Sequence, residues 1–215
     1  MVANSVVKTL VLIGLVASAM SARAVPIYNN LGATSDGSDP IGSFGPLYDS
    51  FTSSSSVQAI TGLSLALSGV PQVSVIAESS VADGGILTVG LYSDSGTTPG
   101  ALIATLATIS DATIGPGIND YTITLLTDPV LAANTRYWIG LSDTGDSTGW
   151  SDSLDLSGPG VSGEYFANEN GVFPNSDGPY QMTVTVGSPV PDAGGTAYLL
   201  GLGVAGLVVL RRKLA

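Results

Sequence analysis

The chain has 215 residues, no cysteine and no histidine, and sets 17 acidic residues against 6 basic ones for a formal net charge of −11. That composition rules out a Ser-His-Asp triad, a Cys-His pair, an ordinary zinc site and disulfide staples. Lys8 and Arg23 sit near the start and Arg211, Arg212 and Lys213 near the end, so Arg136 is the one base between them. A domain this acidic cannot gain affinity by neutralising phosphate, which argues against nucleic acid and against electrostatic capture by anionic lipid.

Taken in chain order, the first element is Lys8 followed by an apolar run from Thr9 to Met20 and then Ser21-Ala22-Arg23-Ala24. A charged residue, a short apolar stretch and a small-x-small site ending at Ala24 form the pattern of a secretory signal peptide over residues 1–24. The run is too short to span a bilayer as a stable helix, so export is the expectation rather than N-terminal anchoring.

Residues 25–187 read as one domain made of strands and turns. Leu63, Leu65 and Leu67 alternate with small polar neighbours, as do Leu87, Val89 and Leu91. The same period recurs at Tyr121, Ile123 and Leu125, at Tyr137, Ile139 and Leu141, and at Met182, Val184 and Val186. Period two marks a strand with one face buried. Turn-rich runs such as Ser93–Gly100 and Gly115-Pro116-Gly117 separate these segments, and none shows helical periodicity with caps. The expected fold is all-β, an antiparallel β-sandwich of jelly-roll type.

Chemistry within this domain is sparse. There is no lysine for a Ser-Lys dyad and no glycine-rich loop before a helix to cradle phosphate. A glycosidase needs two carboxylates on a cleft floor, and none here lies in a recognisable setting, so no catalytic residue is assigned. Asp143, Asp146, Asp152 and Asp155 crowd one turn-rich loop, with Asp36 and Asp39 a smaller group. Clustered carboxylates suit calcium, but the spacing is not that of an EF-hand, and a solvated acidic loop accounts for it better. No cofactor is assigned. Arg136 and Trp138 should share one strand face, opposite Tyr137 and Ile139. An exposed indole beside a guanidinium, with Trp150 joining it, would suit a polysaccharide; buried, the same residues are structural, with Arg136 paired to a nearby Asp.

The tail, residues 188–215, carries the sharpest signal. Val190-Pro191-Asp192-Ala193-Gly194-Gly195 precedes an apolar stretch from Thr196 to Leu210 and then Arg211-Arg212-Lys213. As a helix the apolar stretch would rise roughly 22 Å, marginal for a transmembrane span, with the basic cluster left cytoplasmic. Ala197, Gly201 and Ala205 place small residues along one face, which permits close approach of another membrane helix. A short proline motif, a glycine-rich helix and a terminal arginine cluster together resemble the PEP-CTERM class of sorting signals, and Val190, Pro191, Asp192, Gly194, Gly195, Arg211 and Arg212 resemble its VPD variant. The resemblance implies recognition by an exosortase, a membrane cysteine transpeptidase, with loss of the helix near the motif. Asp192 stands where the family has Glu, and Ala193 precedes the glycines, which implies a dedicated exosortase variant. The logic parallels a GPI signal, whose hydrophobic tail is discarded.

The series Gly85–Leu106, Leu131–Leu141 and Val161–Val186 is similar to the choice-of-anchor R domain, with Asn175–Met182 its most distinctive piece. That resemblance implies a secreted, anchored β domain and brings no catalytic residues. The expectation is an exported structural or interaction protein of the cell surface or extracellular matrix. It would pass through the inner membrane, meet an exosortase-type transpeptidase and be cut near Asp192. A carbohydrate-binding module of the envelope is the alternative.

Overall fold

A computed structural model describes residues 24–69, 84–145 and 148–187. The described chain is mostly strand: β1 (Val25–Asn29), β2 (Gly37–Pro40), a single turn of helix α1 (Ile41–Phe44), β3 (Leu47–Thr52) and β4 (Gln58–Ser68). There follow β5 (Ile86–Asp94), β6 (Pro99–Ser110), β7 (Ile118–Ile123), β8 (Val130–Leu131) and β9 (Arg136–Asp143). The last are β10 (Gly149–Asp152), β11 (Tyr165–Asn168), β12 (Gly171–Pro174) and β13 (Met182–Val186). Among the described residues no helix is long and apolar enough to cross a membrane. The expected transmembrane segment, Thr196–Leu210, and the signal peptide up to Arg23 lie outside the described residues.

The strands form two antiparallel sheets. One has seven strands, ordered β1-β13-β4-β10-β2 with β7 and β8 also paired to β4; the other has six, ordered β12-β11-β3-β9-β5-β6. Strand β4 is the hub because its eleven residues outrun any single partner. Along one side it meets β13 and then β10, and along the other β8 and then β7. This branching goes beyond a plain eight-stranded jelly roll.

The alternation read from the sequence is the alternation of burial. Leu63, Leu65, Leu67, Met182, Val184 and Val186 from the first sheet share a core with Phe51, Leu87, Val89, Leu91, Ile139 and Leu141 from the second. Each fully buried aliphatic side chain stabilises the fold by about 1.5–3 kcal/mol relative to exposure, before the entropy of ordering it is set against that gain. No disulfide contributes, so this core and the polar links across it carry the fold.

Strand register also defines two ends. At one, Val25 pairs with Val186, the Gly187 amide donates to the Ala59 carbonyl at 3.0 Å, and Ala59 pairs with Val130. The six-stranded sheet contributes Thr52 opposite Arg136 to that end. At the other end Ser68 pairs with Gly149 and Ile118, Leu87 with Asp143, and the Asp111 amide donates to the Gly85 carbonyl. The chain therefore enters the β domain at Val25 and leaves it at Gly187 from the same end.

Candidate functional site

The residues that the sequence singles out inside the domain go to three places. Trp138 lies on β9 facing away from the core, as the period-two rule requires, yet it is fully buried. Its Nε1–H donates to Asp94 Oδ1 at 2.8 Å. Ser50 and Tyr92 flank it across the register. Two residues along, Gly140 and Gly90 pair side by side, and the rings of Tyr48 and Tyr92 rest on them. A Cβ on Gly140 would fall 2.5 Å from Tyr48 and 2.6 Å from Tyr92, so only glycine lets the rings recline there. The two rings meet edge to face at 5.2 Å.

Trp150 is also fully buried, stacked on Tyr180 at 4.7 Å, and its Nε1–H donates to the Gln181 carbonyl. Gln181 is itself buried: its amide donates to the Ala33 carbonyl at 2.7 Å and its Oε1 accepts from Ser151. Gln181, within the distinctive Asn175–Met182 segment, is thus a buried polar cross-link. Neither indole is free to stack on a sugar ring.

Arg136 is paired, as its structural reading expects, but with Glu164 rather than an aspartate. Its Nε lies 2.8 Å from Glu164 Oε2, and its guanidinium sits 4.9 Å over the Tyr165 ring. Ser50 donates to the same carboxylate at 2.7 Å, and the Thr52 hydroxyl donates to its other oxygen. Sequence spacing could not have found this partner, which lies in a loop 28 residues downstream.

A second buried carboxylate escaped the sequence reading. Asp49 sits on β3 between Leu47 and Phe51, on the core face, with no exposure. The Tyr28 hydroxyl reaches its two oxygens from the opposite sheet at 3.4 and 3.3 Å. Asn175 Nδ2 donates to that hydroxyl at 3.2 Å and to the Val161 carbonyl. Burial pushes the Asp49 carboxyl well above the usual carboxylate range, and nearby Glu164 pushes the same way, against hydrogen bonds from Tyr28 and two backbone amides. Burial and Asp49 likewise raise the Tyr28 phenol. The signal was there: an aspartate at the apolar phase of the strand Leu47–Thr52.

The acidic groups are partly brought together. Gly37 pairs with Asp152, and the Asp36 amide donates to the Asp152 carbonyl, so Asp36 and Asp39 join Asp152. Burial, then Asp39 and Asp36, raise the Asp152 carboxyl to about 6. Asp39 accepts from the Tyr180 hydroxyl at 2.7 Å. Asp146 lies outside the described residues, and among those described no three acids are arranged to hold a metal ion.

Val190, Pro191, Asp192, Gly194, Gly195, Arg211 and Arg212 all lie outside the described residues; the last described residue is Gly187, one beyond β13. What the fold defines is an antiparallel two-sheet β domain whose chain leaves at a fixed end. Beyond it, residues 189–214 match the VPDSG-CTERM motif. The chain therefore carries a C-terminal sorting tag consistent with the PEP-CTERM type, which suggests export, surface or extracellular localisation and processing by an exosortase-type enzyme. No curated protein matches the chain.

Proposed function

We propose that this is a non-enzymatic structural or interaction protein of the cell surface or extracellular matrix. It is exported by a signal peptide, held in the inner membrane by Thr196–Leu210, and cut near Asp192. The observation that carries this reading is the sorting motif at 189–214. The resemblance of most of residues 27–187 to the choice-of-anchor R domain supports a β-sandwich built for display. A non-catalytic role is supported by the lack of histidine and cysteine and by the state of two enclosed carboxylates. Asp49 and Glu164 are 0% and 5% exposed and committed to internal partners, so neither can reach a polymeric substrate. The carbohydrate-binding alternative rested on exposed indoles, and both are buried.

Intact-mass measurement of the protein from its host, with and without the exosortase, tests the reading. The expected mass spans Val25 to near Asp192 and is lost in the deletion strain. A mass that retains Arg211–Ala215 in both strains would leave an ordinary anchored domain and sink the sorting claim.

A further inference from the structure

The outermost strand of a sheet presents unpaired N–H and C=O groups, and folds blunt such edges against pairing with other chains. Among the described residues, most outer strands are blunted. β2 and β12 have four residues each and end in Pro40 and Pro174, and β8 has two residues. β1 carries Pro26 with a register shift beside it, and β7 carries exposed Asp120. β6 is the exception. It closes one side of the six-stranded sheet and runs twelve residues, Pro99–Ser110, without a charge.

The C-terminal half of this edge is partly covered, because the Leu126 amide donates to the Leu106 carbonyl at 2.8 Å. Exposed Asp128 follows Leu126 by two residues and belongs to that covering loop. Among the described residues, no backbone bond from outside β5 reaches residues 99–105. Within them Leu102 is 54% exposed and Ile103 49%. Register shifts against β5 bend the run, which keeps any pairing there short. The acid opposite Pro99, Asp94, is held by the Trp138 Nε1–H.

We propose that residues 99–105 are the contact by which two copies of this chain associate, each lying antiparallel to the same residues of the other about a two-fold axis. Antiparallel pairing makes an edge complementary to itself, so every copy carries the matching surface. Charge points to the same occupant. Two chains of net charge −11 repel, and an uncharged edge is where they meet with least repulsion. The same edge offers a charged partner nothing to read. Residues 70–83 are too short to fill the whole run. They leave Gly69 and return at Gly84, two residues before Ile86, the partner of Ser110. Pro99 stands eleven residues, about 36 Å, from Ser110, whereas a loop held at both ends there stands out no more than about 27 Å. The pairing uses only residues of the β domain, so it holds with the tail cut or uncut.

The chain has no cysteine, so single cysteines report contacts without background. Full-length Ala101→Cys, Leu102→Cys, Ile103→Cys, Ala104→Cys and Thr105→Cys are oxidised with copper phenanthroline in detergent and run on non-reducing gels. Asn119→Cys on β7 and Val172→Cys on β12 serve as controls. At a two-fold axis a residue faces its own copy with Cα atoms about 4.5–5.5 Å apart, within disulfide reach, and two residues away that reach is lost. The expected result is a cross-linked dimer several-fold stronger at one or two adjacent β6 positions than at the others and at both controls. Adding Leu102→Glu or Ile103→Glu beside the best-linking cysteine should cut the dimer several-fold. The melting temperature should stay unchanged, since both side chains are about half exposed. Cross-linking absent from all five positions, or equal at the controls, overturns the proposal. A dimer that survives the glutamate also overturns it, and assigns association to the tail. So does a monomer whose amides at 99–105 resist hydrogen exchange, which assigns the edge to another segment of the same chain.

Discussion

Strand β3 carries two solutions to the same problem on its two faces. Asp49 points into the core, and Ser50, the next residue, points out and helps hold Glu164. Glu164 has a guanidinium at 2.8 Å and hydroxyls from Ser50 and Thr52, so its charge is matched where it lies. Asp49 has no cation, only the Tyr28 phenol at 3.3 Å and backbone amides, so burial drives it toward the neutral acid. A carboxylate can be enclosed by pairing its charge or by giving it up, and the two choices respond oppositely to mutation.

The largest effect should come from breaking the matched pair. Arg136→Met leaves Glu164 enclosed without its cation, which for a fully buried pair costs about 3–5 kcal/mol. The arginine side chain here is 24% exposed, so water screens part of the loss and about 2–4 kcal/mol is expected. Urea unfolding of Arg136→Met, Glu164→Gln and the double variant measures it. The double variant should recover most of the loss, because Ser50 and Thr52 can still bond a neutral amide. If the single arginine variant were no less stable than the double, the pair would be doing nothing that this comparison assigns to it.

Asp49 should behave the other way. Its pKa is raised in the fold, so below the unfolded value near 3.8 both states are protonated and there is no penalty. As pH rises, the unfolded chain ionises while the folded carboxyl stays neutral, and stability falls until the raised pKa is passed. Asp152, raised to about 6 and part exposed, adds a smaller loss of the same sign between roughly 4 and 6. The domain should therefore melt lower at pH 7 than at pH 5. Asp49→Asn keeps the shape, removes the ionisable group, and should gain about 1–2 kcal/mol at pH 7 with a flatter profile. A variant that melts lower at pH 7, with an unaltered pH slope, would mean that the charge is tolerated.

The same contrast explains what the sequence could and could not disclose. Alternation located the core faces of β4, β5, β9 and β13 because burial on one face of a strand is written residue by residue. Edge strand β6 was harder: the run Ser93–Gly100 reads as all turn, whereas β5 continues to Asp94 and β6 starts at Pro99. Register shifts at Val89/Gly90 and Leu91/Tyr92 break the period there. Alternation also set Arg136 and Trp138 on one face, but the burial of Trp138 depends on the β3 and β5 strands laid beside it, which no local pattern encodes. The roles of Glu164 and Asn175 were hidden for the same reason, since Arg136, Ser50 and Tyr28, which they bond, lie on other strands. The tail motif was legible because sorting enzymes read a contiguous peptide, and the comparison with known families met it at the same residues.

The smallest of the three effects separates the phenol from the acid it serves. Tyr28→Phe removes one hydroxyl that both donates to Asp49 and accepts from Asn175 Nδ2. The ring stays in the core, so the cavity term is small and the loss is that of a buried polar contact, about 1 kcal/mol. Asn175 keeps its bond to the Val161 carbonyl, which limits the damage. Without the phenol Asp49 loses a bond that favours its charged form, so its pKa should climb further, which the pH dependence of thermal unfolding can register. In the Asp49→Asn background the same substitution should leave that dependence unchanged. If Tyr28→Phe alters the pH profile equally with and without the carboxyl, the two residues are not coupled, and the bond between the sheets is a contact of packing alone.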